Sequence, residues 1–372
     1  QRNFYGKREQ DKFLEAPPSI ARMAAIAPFI HHLTPTHFPS SASKNLIFTN
    51  YYYSRRRTKS FSPPAVTSLH EQPPDLDYLK AEFGGQGVTF DAAGDSYIAK
   101  LKLQNGSKAT MMLPSGLITS YKPRMWHGGT VELLHTVVME DDGTAHIRGG
   151  LSPAFGFEKE DGSKWSPDFW SLQSIRGDPE SIEVELLSKE DDMMEVRYTV
   201  ILREDLLCSE IEIANTNLKP LAVNLKGSFT THLTVSSPEA TFAFGMEGSD
   251  FKTIPLVPST FSLVPPGLEK VFDFKEMEGE EDENYKNLGD EMSRVYTNAP
   301  TFFTVIDRGR RNSVSVGRDG LEEVCIFSPG SSFESYGMFS FICIGQSALL
   351  KQIVLHPGKV MKFVQHLQNP NL

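Results

Sequence analysis

The sequence predicts an all-β protein built as one large antiparallel sandwich or barrel. Three observations carry that reading. From residue 88 onward, apolar and polar residues alternate with period two in run after run, the pattern of half-buried strands. Turn signals separate the runs: Asn105-Gly106, Asp142-Gly143, Asp161-Gly162, Pro329-Gly330 and Pro357-Gly358. These dipeptides reverse a chain with little strain. Only one segment has a convincing helical pattern, so strands must bury the core. No short internal repeat is evident, which argues against a propeller.

In chain order the helix comes first. In "PPDLDYLKAEFGG", Asp75 stands as N-cap after Pro73 and Pro74, Leu76, Leu79 and Phe83 fall on one face, and Gly84 stops the helix. "SYIAKLKL" (96–103), "SIEVELL" (181–187) and "SEIEIAN" (209–215) alternate as strands, and "MMEVRYTVIL" (193–202) aligns Met194, Val196, Tyr198, Val200 and Leu202 on one side. "LAVNLKGSFTTHLTVSS" (221–237) places Leu221, Val223, Leu225 and Phe229 on one face, and Asn224, Lys226, Ser228, Thr230, His232 and Thr234 on the other. Such a polar face is either solvated or the lining of a concave sheet that cups a sugar-like ligand. "VCIF" (324–327), "MFSFICI" (338–344), "LLKQIVL" (349–355) and "KVMKFVQHL" (359–367) complete the series. "YGMFSFICIGQSALL" (336–350) is the nearest approach to a membrane span, but Ser, Gly and Gln interrupt it. It falls short of the roughly 20 apolar residues a spanning helix needs, and reads as two buried strands.

Composition narrows the function. The chain has 372 residues, of which 39% are hydrophobic, and its 25 Phe supply ample core material. Cys208, Cys325 and Cys343 are far apart, without a CxxC or a Cys/His cluster. That excludes a disulfide scaffold and leaves no metal or iron–sulfur site to expect. No GxGxxG is present to bind a dinucleotide, so no cofactor is expected. Residues 71–372 hold 27 basic against 44 acidic residues, a net of −17. A domain so acidic repels nucleic-acid phosphates and argues against direct adsorption to an anionic membrane. The acidic run "KEMEGEEDENYKNLGDE" (275–291) lacks the ligand spacing of an EF-hand loop and reads as a solvated surface loop. Trp126-His127-Gly128-Gly129 reads as a hairpin tip.

The front of the chain differs. Residues 23–70 are rich in Ser and Thr, carry Lys44, Arg55, Arg56, Arg57 and Lys59, and hold no acid. That composition, after Met23-Ala24-Ala25, is expected of a chloroplast transit peptide over 23–66. The expected organisation is upstream, non-native sequence over 1–22, that leader, a linker with the short helix over 67–87, a β domain over 88–367 and a tail over 368–372.

Particular words resemble the galactose mutarotase-like family, and more narrowly its hexose-6-phosphate mutarotase (aldose 1-epimerase) branch. They are "LPSGLITSYKP", "IRGGLSPAFGF", "GSFTTHLTVSS", "SRVYTNAP" and "LLKQIVLHPGKVMKFVQHL". The resemblance implies an antiparallel β-supersandwich with few short helices. It also implies a site in which a glutamate and a histidine move protons during ring opening while arginines and a second histidine hold the sugar phosphate. His232 matches the catalytic histidine, and Arg148 matches a pocket arginine. The family's His-Gly-Phe-Ala-Arg word is replaced by "KWSPDFWSL", and Gly345 stands where the glutamate is expected. Ser293 replaces an aspartate of the family. Glycine cannot move a proton, so Arg148, His232 and Gly345 are expected to be vestiges and the protein a pseudoenzyme. Glu322 and Glu323 are candidates for a substitute base. Trp165, Phe169 and Trp170 are either a partner surface or ordinary core. The alternatives are a plastid hexose-phosphate mutarotase and a carbohydrate-binding protein in which residual sugar binding survives.

With the plastid-like leader, "GGLSPAFGFEKEDGSKWSPDFWSLQSI" and "GRDGLEEVCIFSPGSSFESYGMFSFICIGQ" resemble the subcomplex B subunits of the chloroplast NADH dehydrogenase-like (NDH) complex. That resemblance implies a structural subunit on the stromal side of the thylakoid membrane, held by other subunits of subcomplex B. It implies support for cyclic electron flow around photosystem I, with no redox centre of its own.

Overall fold

The structure is a computed structural model, and it describes residues 75–141, 144–190, 193–217, 221–255, 263, 277–331 and 340–370. The expected upstream segment, the transit peptide and the Asp142-Gly143 turn lie outside these residues. All the elements below belong to one compact unit within Asn45–Leu372.

The helix α1 covers Leu76–Phe83 and lays Leu79 into the core. Its ends differ from expectation in detail. The Asp75 side chain makes no capping bond, and Gly84 is extended (φ −76). The left-handed turn comes one residue later, at Gly85 (φ 106), where a Cβ would be strained. Strands follow in chain order: β1 (Val88–Ala93), β2 (Ser96–Lys102), β3 (Lys108–Leu113), β4 (Ile118–Lys122), β5 (Thr136–Asp141), β6 (Thr144–Gly149), β7 (Leu151–Lys159) and β8 (Lys164–Trp165). Next are β9 (Ser171–Gly177), β10 (Ser181–Glu190), β11 (Met194–Arg203), β12 (Leu206–Asn215), β13 (Val223–Thr234), β14 (Thr241–Phe244) and β15 (Asp250–Thr253). The series ends with β16 (Glu278–Glu280), β17 (Tyr285–Asn287), β18 (Met292–Thr297), β19 (Phe302–Asp307), β20 (Asn312–Asp319), β21 (Glu323–Ser328), β22 (Phe341–Leu355) and β23 (Val360–Gln368). A single 3-10 turn, Pro238–Ala240, is the other helical piece among the described residues.

The strands form a 12-stranded sheet in the order β1-β2-β3-β4-β7-β13-β22-β21-β18-β15-β16, with β8 added to β7, and a nine-stranded sheet in the order β17-β14-β19-β20-β23-β12-β11-β10-β9. This is the expected supersandwich. The alternation read from the sequence sets the inner faces: Ile182, Val184 and Leu186 of β10 and Met194, Val196, Tyr198, Val200 and Leu202 of β11 are all fully buried. The two strands last in chain order are central. β22 lies between β13 and β21, and β23 between β12 and β20.

Two expectations change. The segments 338–344 and 349–355 are not separate strands, because β22 runs unbroken through Phe341–Leu355. Between the pairs Leu225↔Ile353 and Gly227↔Ala348 it sets the four residues 349–352 against the single Lys226, a bulge that breaks the sequence pattern without ending the strand. The acidic run is not wholly a solvated loop either. Its Glu281 is buried, at 2.9 Å from Arg294 and 3.4 Å from Lys286, and accepts from the Tyr296 hydroxyl at 3.1 Å. A buried carboxylate survives only with such partners.

Candidate functional site

β13 is the floor from which the site is built. Its register with β7 pairs Ser228 with Ala154 and Thr230 with Ser152, and its register with β22 pairs His232 with Cys343 and Ser228 with Ser347. Directly opposed residues share a face, so the polar side chains stand together as the sequence predicts. Over 228–232 they are not solvated: Ser228, Thr230 and His232, with Ser152 and Ser347 opposite, are all buried, whereas Lys226 of the same predicted face is exposed and Asn224 and Thr234 are partly so.

His232 is 3% exposed and packs against an aromatic ring. Phe341 lies 5.7 Å from it, and Phe341 also stacks on His135 at 5.6 Å. The Nδ1 of His232 is 3.3 Å from the Gly150 carbonyl oxygen, and its backbone N–H donates to the same oxygen at 2.9 Å. Burial pushes the imidazole pKa down to about 4, with the nearby His135 adding a smaller push. Near neutral pH such a ring is uncharged and has no extra proton to give to a ring oxygen.

Gly345 lies in β22 opposite Cys325. A Cβ built there would fall inside the van der Waals envelope of the Phe229 carbonyl oxygen on β13, and 3.5 Å from Gln365 Oε1. It would thus point toward the neighbouring strand and the opposite sheet. Gln365, on β23, completes this close approach: its Oε1 accepts the Gln346 backbone N–H at 3.1 Å and its Nε2 donates to Thr231 Oγ1 at 2.7 Å. The position has no room for a glutamate.

The two substitute carboxylates are engaged elsewhere. Glu323 is buried, and its carboxylate accepts the backbone N–H groups of Leu349, Leu350 and Lys351 at 2.6, 3.1 and 2.7 Å. It satisfies the donors freed by the β22 bulge, where an unpaired N–H would be costly. Glu322 is 82% exposed and faces Lys351 at 3.6 Å.

Arg148 lies on β6, paired with Val137 in a two-stranded sheet separate from the floor. Gly149 (φ 89) and Gly150 (φ 71) then turn the chain from that ribbon into β7. A Cβ on either glycine would meet a backbone oxygen, of His135 and Ile118 respectively. The paired glycines are therefore required by the change of sheet.

The three aromatics divide. Trp170 is 2% exposed, packs 5.5 Å from Tyr198 and covers Gly116. Trp165 is half-buried against Phe157 at 5.2 Å. Phe169 alone is open to solvent, at 51%.

The sequence reading missed His135, Phe341 and Gln365. In the sequence Phe341 is one apolar residue of a strand among several. Gln365 fits the polar-alternating positions of its strand, and nothing in its neighbours marks it as inward-facing. Burial raises the thiols of Cys325 and Cys343, that of Cys325 to about 12, which leaves them poor nucleophiles. Among the described residues no group of three or more His, Cys, Asp or Glu is placed to hold a metal ion.

No family model matches the chain. It is 45% identical over 349 residues to the protein NDH-dependent cyclic electron flow 5 of Arabidopsis thaliana, an overlap of 90% of this chain and 96% of that one. Its fold is similar to a solved candidate mutarotase, YeaD of Salmonella typhimurium (TM-score 0.57, 14% identity, 78% of this chain and 96% of that chain). It is also similar to a galactose mutarotase related enzyme of Lactobacillus acidophilus (TM-score 0.50, 14% identity, 73% of this chain and 97% of that chain). At such identities these two establish the fold alone.

Proposed function

The chain belongs to the family of the NDH-dependent cyclic electron flow 5 protein, and from that premise we propose that it is a non-catalytic structural subunit of the chloroplast NDH complex. The identity across nine-tenths of the chain carries the reading. In it, the protein is a component of subcomplex B that supports cyclic electron flow around photosystem I. It sits peripherally on the stromal side of the thylakoid membrane, where partner subunits hold it. No helix among the described residues is long and apolar enough to cross a membrane.

The site supports the non-catalytic part. A mutarotase needs a base and an acid on one sugar. Here the base position has no space for a side chain, the neutral His232 is buried with Phe341 packed against it, and Glu322 and Glu323 are engaged elsewhere. Native-gel separation of solubilised thylakoids tests assembly: the protein is expected to comigrate with the large NDH complex, and a free stromal monomer would overturn the subunit reading. Anomer exchange of glucose 6-phosphate tests catalysis. Purified protein is expected to leave the spontaneous rate unchanged, whereas a rate like that of a true mutarotase would restore the enzyme reading.

A further inference from the structure

On the outer face of the 12-stranded sheet, near its β1 edge, Lys102 of β2 stands directly opposite Lys108 of β3, and Lys108 directly opposite Lys122 of β4. Three cations thus form one row across three adjacent strands. Like charges directly opposite one another destabilise a sheet. Lys122 has a partial counter-charge in Glu132 at 3.5 Å, and the flanking Lys100 pairs with Asp91 at 2.5 Å. Lys102 and Lys108 are exposed and make no ion pair with any described residue.

The other sheet shows what this chain does elsewhere. On its outer face Arg176 meets Glu183 and Glu185, Arg197 meets Glu185, Glu195 and Glu212, and Lys362 meets Glu210. Signs alternate there, and the charges neutralise one another. The lysine row breaks that rule within a domain that is acidic overall, and a local rule broken without compensation marks a functional position. A cleft of about 480 Å³ opens at the Lys102 and Lys108 end of the row, away from Lys122; Thr89, Lys100, Lys102, Lys108 and Thr110 line it, with Gly85, Gly87 and the apolar Val88, Leu101 and Ala109. Ammonium groups with two hydroxyls beside them suit the charge and the acceptor oxygens of a phosphoryl group.

We propose that this cleft binds a phosphate-type oxyanion, carried either by a lipid headgroup or by a soluble phosphate compound. The site lies apart from the β13 floor and does not depend on the subunit reading. Inorganic pyrophosphate is the soluble probe, and vesicles of phosphatidylglycerol in phosphatidylcholine are the headgroup probe, both with the full chain. At about ten times its Kd in low salt, pyrophosphate is expected to raise Tm by about 2–5 °C. The rise is expected to fall at least about fivefold in the double variant Lys102→Gln, Lys108→Gln, and to shrink in about 0.2 M salt. Without anion the variant should melt at or above the wild-type temperature, because like-charge repulsion is relieved. Cosedimentation with the anionic vesicles but not with pure phosphatidylcholine, lost in the double variant, would assign the site to a headgroup. A pyrophosphate response without vesicle binding would assign it to a soluble phosphate. Equal pyrophosphate responses in the two proteins, or no response in wild type to either probe, would overturn the proposal.

Discussion

Gly345 shows how completely one residue can close a site. Restoring an acid there does not restore a base, because the first carbon of the new side chain already collides with Phe229 on the next strand. Gly345→Glu is expected to cost about 2–4 kcal/mol by forcing β13 and β22 apart, measured by urea unfolding, and to leave anomer exchange at the spontaneous rate. A stable variant with new activity would contradict this. His232 gives a second prediction. Its folded pKa of about 4 lies below the ordinary 6.5, so the unfolded chain takes up the proton first. Its contribution is complete above about pH 6.5, declines as pH falls toward 4, and spans about 3 kcal/mol in all. His232→Gln should remove most of that slope from unfolding free energies measured between pH 4 and 7; an unchanged slope would assign it to other groups. At this scale the sequence displayed the substitutions but not their surroundings. That Gly345 replaces an acid can be read from neighbouring words; that it must be a glycine depends on Phe229 and Gln365, which are distant in the chain.

Among the elements, β22 depends on a carboxylate from its neighbour. Three N–H groups of its bulge go to Glu323, so Glu323→Ala leaves these donors unpaired and is expected to destabilise by about 2–4 kcal/mol. Hydrogen exchange should show the amides of Leu349, Leu350 and Lys351 losing protection before the rest of the strand. Uniform loss along β22 would mean that Glu323 does not hold the bulge. Strands with clean alternation, such as β10, β11 and β12, were legible to within about three residues at each end because burial on one face imposes period two. β22 was not, because its bulge shifts the period midway. The aromatic run after the paired glycines was ambiguous for a related reason. Trp170 and Phe169 are adjacent and point to opposite environments, and only the packing against Tyr198 and Gly116 decides which is core.

For the molecule as a whole, an averaged charge concealed two opposite surfaces. The net of −17 over residues 71–372 is consistent with the self-neutralised ladder on one sheet, yet gave no hint of the lysine row on the other. Strand registers, which set that row, cannot be obtained from composition. The class of fold was fully legible, because period-two runs and turn dipeptides leave few other ways to bury so many strands. The placement of β22 and β23 adds a temporal consequence. Each is the keystone of its sheet, yet a ribosome makes it after every other strand of that sheet, so until then the two halves of the sheet have no strand to join them. A chain stopped at Ser340 is expected to show no cooperative urea transition, while the full chain shows one; a cooperative transition in the shortened chain would refute the point. Closure of both sheets therefore waits until synthesis has passed Gln368, and until then the strands on either side of the two gaps carry edges without partners.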